Sequence, residues 1–161
     1  MKGNKIIVYG FGNPGRQDDG LGPAIISRLE KENIPDIKTE CNYQLNIEDA
    51  LLISGFKIAI FVDASINCEE PFSFHEIEQA DEITFTTHSM TPQSVLALCN
   101  DLYNKNVESY ILEIRGYEWE MAEGLSLKAQ ENSGKAYSFL KNKIAEFLKS
   151  KDDFTSNLQT I

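Results

Sequence analysis

The chain has 161 residues, 42% of them hydrophobic, and a formal net charge of −10. That length fits one domain with an ordinary core, and no apolar run approaches the roughly 18 residues of a membrane span. The acidic balance argues against a nucleic-acid partner, because affinity for polyanions comes largely from lysine and arginine on phosphates. Met1-Lys2-Gly3-Asn4-Lys5 leads straight into a strand, with no signal-like segment, so a cytoplasmic monomer is expected. Three cysteines without a C-x-x-C pair argue against a disulfide framework or a thiolate zinc site. Cys41, Cys68 and Cys99 are expected to pack as small hydrophobes.

Ile6-Ile7-Val8 reads as a buried first strand. It runs into Gly10-Phe11-Gly12-Asn13-Pro14-Gly15-Arg16-Gln17-Asp18-Asp19-Gly20-Leu21-Gly22, too rich in glycine and proline for a regular element. A helical pattern follows over about 22–32, with Ala24, Ile25, Ile26 and Leu29 on its apolar face. A glycine-rich corner therefore joins a strand to a helix and carries two adjacent carboxylates. In open α/β sheets ligands sit at such corners. The first six residues of the corner match the dinucleotide fingerprint G-x-G-x-x-G. A polar loop nevertheless follows Gly15 where that motif needs a helix start. Plain turn chemistry, with Asp18 or Asp19 capping the helix, explains one aspartate. Both side by side repel, which suggests a balancing cation.

Residues 37–41 read as a short second strand and 45–53 as a brief helix ended by Gly55. The run Ile58-Ala59-Ile60-Phe61-Val62 before Asp63 is a strand buried on both faces, as parallel strands are. Strand, helix, strand, helix, strand predicts an α/β fold: a single three-layer sandwich with a mostly parallel twisted sheet and helices on both faces. Right-handed crossovers put strands one and three side by side, bringing Asp63 beneath the Asp18-Asp19 loop. Residues 72–77 alternate as a half-exposed strand, with His75 on its solvated side, and 83–87 read as a further extended piece. His88 precedes a helix for which Thr91 is the N-cap and Pro92 the first residue. A last apolar strand spans 109–114. Trp119 and Tyr117 after it suit either a binding rim or packing at a strand end. Residues 126–149 are helical, with a break expected near Ser133-Gly134. The domain is taken as 1–149 and residues 150–161 as a flexible tail.

Gly10-x-Gly12-Asn13 followed by Asp18-Asp19-Gly20-x-Gly22 resembles the N-terminal signature of the nickel-iron hydrogenase maturation endopeptidases. Val62-Asp63-Ala64 resembles that family's aspartate after an apolar strand, and His88 matches its histidine before a helix. The resemblance spans roughly residues 5 to 148. These enzymes remove a short C-terminal extension from the hydrogenase large subunit once nickel is installed. The resemblance therefore implies a hydrolase, with aspartic-type endopeptidase activity, acting on a hydrogenase large-subunit precursor. It implies Asp19, Asp63 and His88 as catalytic, metal-contacting residues; Asp18 beside them is a candidate for support. The resemblance further implies that the metal is a divalent ion, nickel, supplied by the substrate.

Two carboxylates and an imidazole suit zinc, nickel or iron and leave coordination positions open. No G-x-S-x-G elbow supports a serine protease, so metal-assisted hydrolysis remains. The N–H groups around Gly12-Asn13 are expected to receive the oxyanion, and Asp18 to orient water or cap the helix. Two alternatives stay open. One is a non-catalytic, chaperone-like module that binds metal and the loaded precursor. The other is a relative of peptidyl-tRNA hydrolase, suggested by Gly12-Asn13-Pro14-Gly15. That family carries a tyrosine and a histidine-asparagine pair soon afterwards, where this chain has Asp18-Asp19-Gly20.

Overall fold

The computed structural model describes residues 5–82, 85–86 and 89–159. Strand β1 (Ile6–Phe11) is buried almost throughout and feeds alternate side chains into two cores. After a 3-10 turn over Gln17–Gly20 comes helix α1 (Leu21–Glu30), whose Leu21, Ile25, Ile26 and Leu29 are buried. Strand β2 (Ile37–Asn42), helix α2 (Asp49–Ile53), strand β3 (Ile58–Ser65) and strand β4 (Phe72–Ile77) follow. A small hairpin of β5 (Phe85–Thr86) and β6 (Ser89–Met90) leads into helix α3 (Pro92–Tyr103). Strand β7 (Glu108–Arg115) and the long helix α4 (Leu127–Gln159) complete the chain.

The sheet order is β2-β1-β3-β7-β4. The first four strands are parallel, and β4 runs antiparallel to β7 on the edge. Ile6, Val8, Ile58, Ile60, Leu112 and Ile114 pack in one core with residues of α1 and α4. Ile7, Tyr9, Ala59, Phe61 and Ile111 pack in the other with residues of α2 and α3. This is the expected three-layer α/β sandwich, and β1 and β3 are neighbours as the crossover rule requires. Among the described residues no helix is long and apolar enough to cross a membrane.

Several local expectations change. Helix α2 starts at Asp49 rather than Leu45, because the Asp49 carboxylate accepts the Asn46 N–H at 2.7 Å and holds 46–49 in a turn. Helix α4 passes through Ser133-Gly134 without a break. A Cβ on Gly134 would meet nothing within 4 Å, so the glycine marks no close approach. The same helix continues to Gln159, over residues expected to form a tail. Of the cysteines, only Cys99 is fully buried; Cys41 is exposed on the edge strand β2.

Gly22 brings the start of α1 onto the strand ends. A Cβ there would lie 2.6 Å from the Val62 carbonyl oxygen and 2.7 Å from that of Phe11, both backbone atoms that cannot swing aside. Gly22→Ala is therefore expected to cost about 1–3 kcal/mol and lower the melting temperature. Gly134→Ala is expected to raise it, by up to about 1 kcal/mol of helix propensity. Thermal unfolding of the two variants beside the wild type checks both signs.

Candidate active site

The glycine-rich corner closes on itself before it meets anything else. Gly12 has φ +141°, and a Cβ there would collide with the Asp19 carbonyl oxygen at 2.0 Å. The Asp19 carboxylate reaches back to accept the Asn13 N–H at 2.9 Å. The Gly12 N–H donates to the Asn42 carbonyl at 3.1 Å. Both N–H groups expected to serve an oxyanion are therefore engaged, one by the end of β2 and one inside the loop.

Asp18 points the other way, into the protein, and is 0% exposed. Its carboxylate accepts the N–H groups of Tyr117 at 2.7 Å and Glu118 at 3.0 Å. It also accepts the N–H and the hydroxyl of Ser126, each at 2.8 Å. Burial alone would raise its pKa, but these donors outweigh burial and hold the carboxyl below its usual range. Helix α1 has no side-chain cap, so Asp18 does not serve as its N-cap. It latches the segment after β7 onto the 3-10 turn. Neighbouring bonds extend the latch: Gln17 N–H to the Ala122 carbonyl, Asp18 N–H to Glu118, and Arg16 Nε to Trp119. Trp119 and Tyr117 are accordingly tied in at the strand end, where the Tyr117 hydroxyl donates to Glu70 at 2.5 Å.

Asp63 ends the buried run of β3, in register with Glu113 of β7. Paired residues on parallel strands share a face. Ala59, Phe61 and Ile111 place that face on the α2–α3 side of the sheet. Burial pushes the Asp63 carboxyl up to about 7; the Ala64 N–H bond at 2.8 Å opposes this, and the Asp19 and Glu113 charges add to it. Asp19 and Asp63 thus interact across the β1–β3 switch point, which is where the sheet order reverses.

The third expected residue, His88, lies outside the described residues. Among those described, no three histidine, cysteine, aspartate or glutamate side chains are grouped to hold a metal. Asp19 and Asp63 supply hard oxygen donors, and a buried carboxyl that resists ionisation beside another carboxylate suits a cation that relieves both. His75 is exposed on β4 and does not join the set. The sequence reading missed Glu113 beside Asp63, and it missed Ser126, Tyr117 and Glu118 as partners of Asp18. The only signal for Glu113 was its place one residue before the end of an apolar strand.

Two stability measurements test this electrostatic picture. Asp63 has a folded-state pKa above its unfolded value, so its contribution is present at low pH and lost as pH rises from about 4 to about 7. Asp63→Asn is expected to raise the unfolding free energy measured in urea above wild type at pH 8, by a few kcal/mol at most, with the gap narrowing at pH 5. Asp18 has the opposite sign: its contribution is present above the unfolded pKa and is lost as pH falls through the lower folded value. Asp18→Ala is expected to cost about 3–5 kcal/mol at neutral pH. Amide exchange at Tyr117, Glu118 and Ser126 is expected to accelerate with it.

No protein-family model matches the chain. A protein of Methanocaldococcus jannaschii named "Putative hydrogenase maturation protease" is 29% identical over 163 residues, covering 89% of this chain and 99% of that protein. Among solved structures, the nickel-iron hydrogenase maturation protease HycI from Thermococcus kodakarensis aligns with a TM-score of 0.67 at 22% identity, over 91% of this chain and 93% of that one. The hydrogenase maturating endopeptidase HybD from E. coli aligns with a TM-score of 0.71 at 16% identity, over 88% and 93%. At these identities the solved structures bear on the fold. In sequence along nearly its whole length, and in fold, the chain is similar to the hydrogenase maturation proteases.

Proposed function

We propose that the chain is a hydrogenase maturation protease: an endopeptidase that removes the C-terminal extension of a nickel-iron hydrogenase large-subunit precursor after metal insertion. The observation that carries the reading is the pairing of Asp63 with Asp19 at the β1–β3 switch point, where burial and mutual repulsion keep the Asp63 carboxyl near neutrality. Asp19, Asp63 and His88 contact the metal that the precursor brings. A divalent ion there supplies Lewis-acid polarisation of the scissile carbonyl or a more acidic water. Asp63 gives up its proton when that charge arrives, which couples capture of the loaded precursor to a pH near 7. Asp19 is held in place by the Asn13 N–H. Asp18 acts indirectly, by fixing the turn that presents Asp19.

One observation favours a second reading. The Gly12 and Asn13 N–H groups, the pair expected to receive an oxyanion, are already engaged. A non-catalytic module that binds the loaded precursor without cutting it needs no such pair.

Incubation of the protein with nickel-loaded and metal-free precursor, read by intact mass, separates the two readings. The protease reading expects a C-terminal peptide released only from the loaded form, with many turnovers per enzyme. It also expects Asp19→Asn, Asp63→Asn and His88→Ala each to reduce that rate at least a hundredfold. A stoichiometric complex without release supports the module. Wild-type rates in Asp19→Asn and His88→Ala overturn the site.

A further inference from the structure

Eight large hydrophobic side chains are exposed among the described residues; Leu51, Leu102 and Tyr103 lie on α2 and α3, and the other five follow the carboxyl ends of strands. Tyr43 (69% exposed) and Ile47 follow β2, Ile66 (66%) follows β3, and Met121 (79%) and Leu127 (80%) follow β7. All five therefore lie at the carboxyl edge of the parallel strands, the edge at which Asp19 and Asp63 meet. Solvated apolar side chains in such a grouping mark a contact surface rather than a packing need. Among the described residues no element covers them.

Charge narrows what does. The segments 43–48, 66–70 and 118–127 carry Glu48, Glu69, Glu70, Glu118, Glu120 and Glu123, all exposed, and no lysine or arginine. Arg16 and Lys128 beside them are turned to the Trp119 carbonyl and to Glu70. A second copy of the chain fits this surface poorly: a two-fold contact would set glutamate against glutamate, on molecules of charge −10 each. Three strand spacings, about 14 Å, separate β2 from β7. That width admits one extended polypeptide segment and leaves the body of a folded partner resting on the apolar rim.

We propose that this edge is the docking surface for a folded protein whose facing surface carries apolar side chains ringed by lysine and arginine. Given the function proposed above, that protein is the metal-loaded precursor. Met121 and Leu127 on one side, Ile66 at the middle, and Tyr43 and Ile47 on the other anchor it. The glutamates steer it and set its orientation. Its extended terminal segment runs between the two sides towards Asp19 and Asp63. The rim thus selects the precursor by its folded surface, separately from the carboxylates that meet the metal.

The test uses the full chain and purified nickel-loaded precursor, read as KM and kcat, or as Kd where a complex forms without turnover. Ile66→Glu and Met121→Glu are each expected to raise KM or Kd at least tenfold while kcat stays within twofold. Glu120→Lys combined with Glu123→Lys is expected to do the same and to flatten the rise of KM with salt. Leu102→Glu, at the exposed end of α3 on the opposite edge, is expected to match the wild type. Unchanged KM or Kd in the rim variants, with an active or binding wild type, overturns the docking surface and leaves the proposed function standing. A wild type that neither cleaves nor binds the loaded precursor overturns that function and this occupant together. A wild-type dimer in sedimentation, dissociated by Met121→Glu, assigns the rim to a second copy and overturns the proposal.

Discussion

A single buried carboxylate holds the functional edge of this molecule in shape. Asp18 gathers three backbone N–H groups and one hydroxyl from the segment after β7. An ionised group without water is costly, and only this density of donors offsets the cost. The consequence is reciprocal. The segment after β7, which has no regular structure until α4, gains its order from the 3-10 turn. The turn in turn gains a fixed attitude, so that the next residue, Asp19, faces the end of β3. Gly116 shows how tightly the two are joined, since a Cβ there would lie 2.8 Å from the Asp18 Cβ.

The two adjacent aspartates thus divide their labour by direction. A 3-10 turn places successive side chains about a third of a turn apart, so Asp18 and Asp19 diverge although they are sequence neighbours. One faces a ring of donors and is held ionised; the other lies at the partly open switch point. Two carboxylates side by side in a loop first suggest one shared cation. Geometry resolves their repulsion differently, by turning them apart and giving each its own donors: the ring from the segment after β7 for Asp18 and the Asn13 N–H for Asp19.

Much of this was legible in the sequence, for physical reasons particular to each element. The five-residue apolar run before Asp63 specifies a strand buried on both faces, and such strands must be central and parallel. Thr91-Pro92 specifies the start of α3, and the Thr91 side chain does accept the Ser94 N–H. Asp63 near the aspartate loop follows from that buried strand, the alternation of strands and helices before it, and the handedness of crossovers. What was not legible depends on contacts between residues far apart in the chain. The partners of Asp18 lie 99 to 108 positions away, so its latch could not be read locally. The Glu113 beside Asp63 depends on the β3–β7 register. The shortening of α2 turns on one bond, in which the Asp49 carboxylate accepts the Asn46 N–H. His88 lies outside the described residues, so the third member of the set remains part of the proposal.

The sheet order also bears on how the chain assembles. β4 is laid down directly after β3, yet the two do not pair; β7, made some forty residues later, lies between them. Within this sheet β4 pairs only with β7, so residues 108–115 are what join β4 to β3. They do so with parallel bonds on one side and antiparallel bonds on the other. Loop-closure entropy must be met before these non-local pairs form. The carboxyl edge can therefore exist only after β7 has entered, because Asp18 finds its donors just beyond that strand. One late strand thus both completes the sheet and carries, just beyond its end, the donors that fix the Asp18-Asp19 turn.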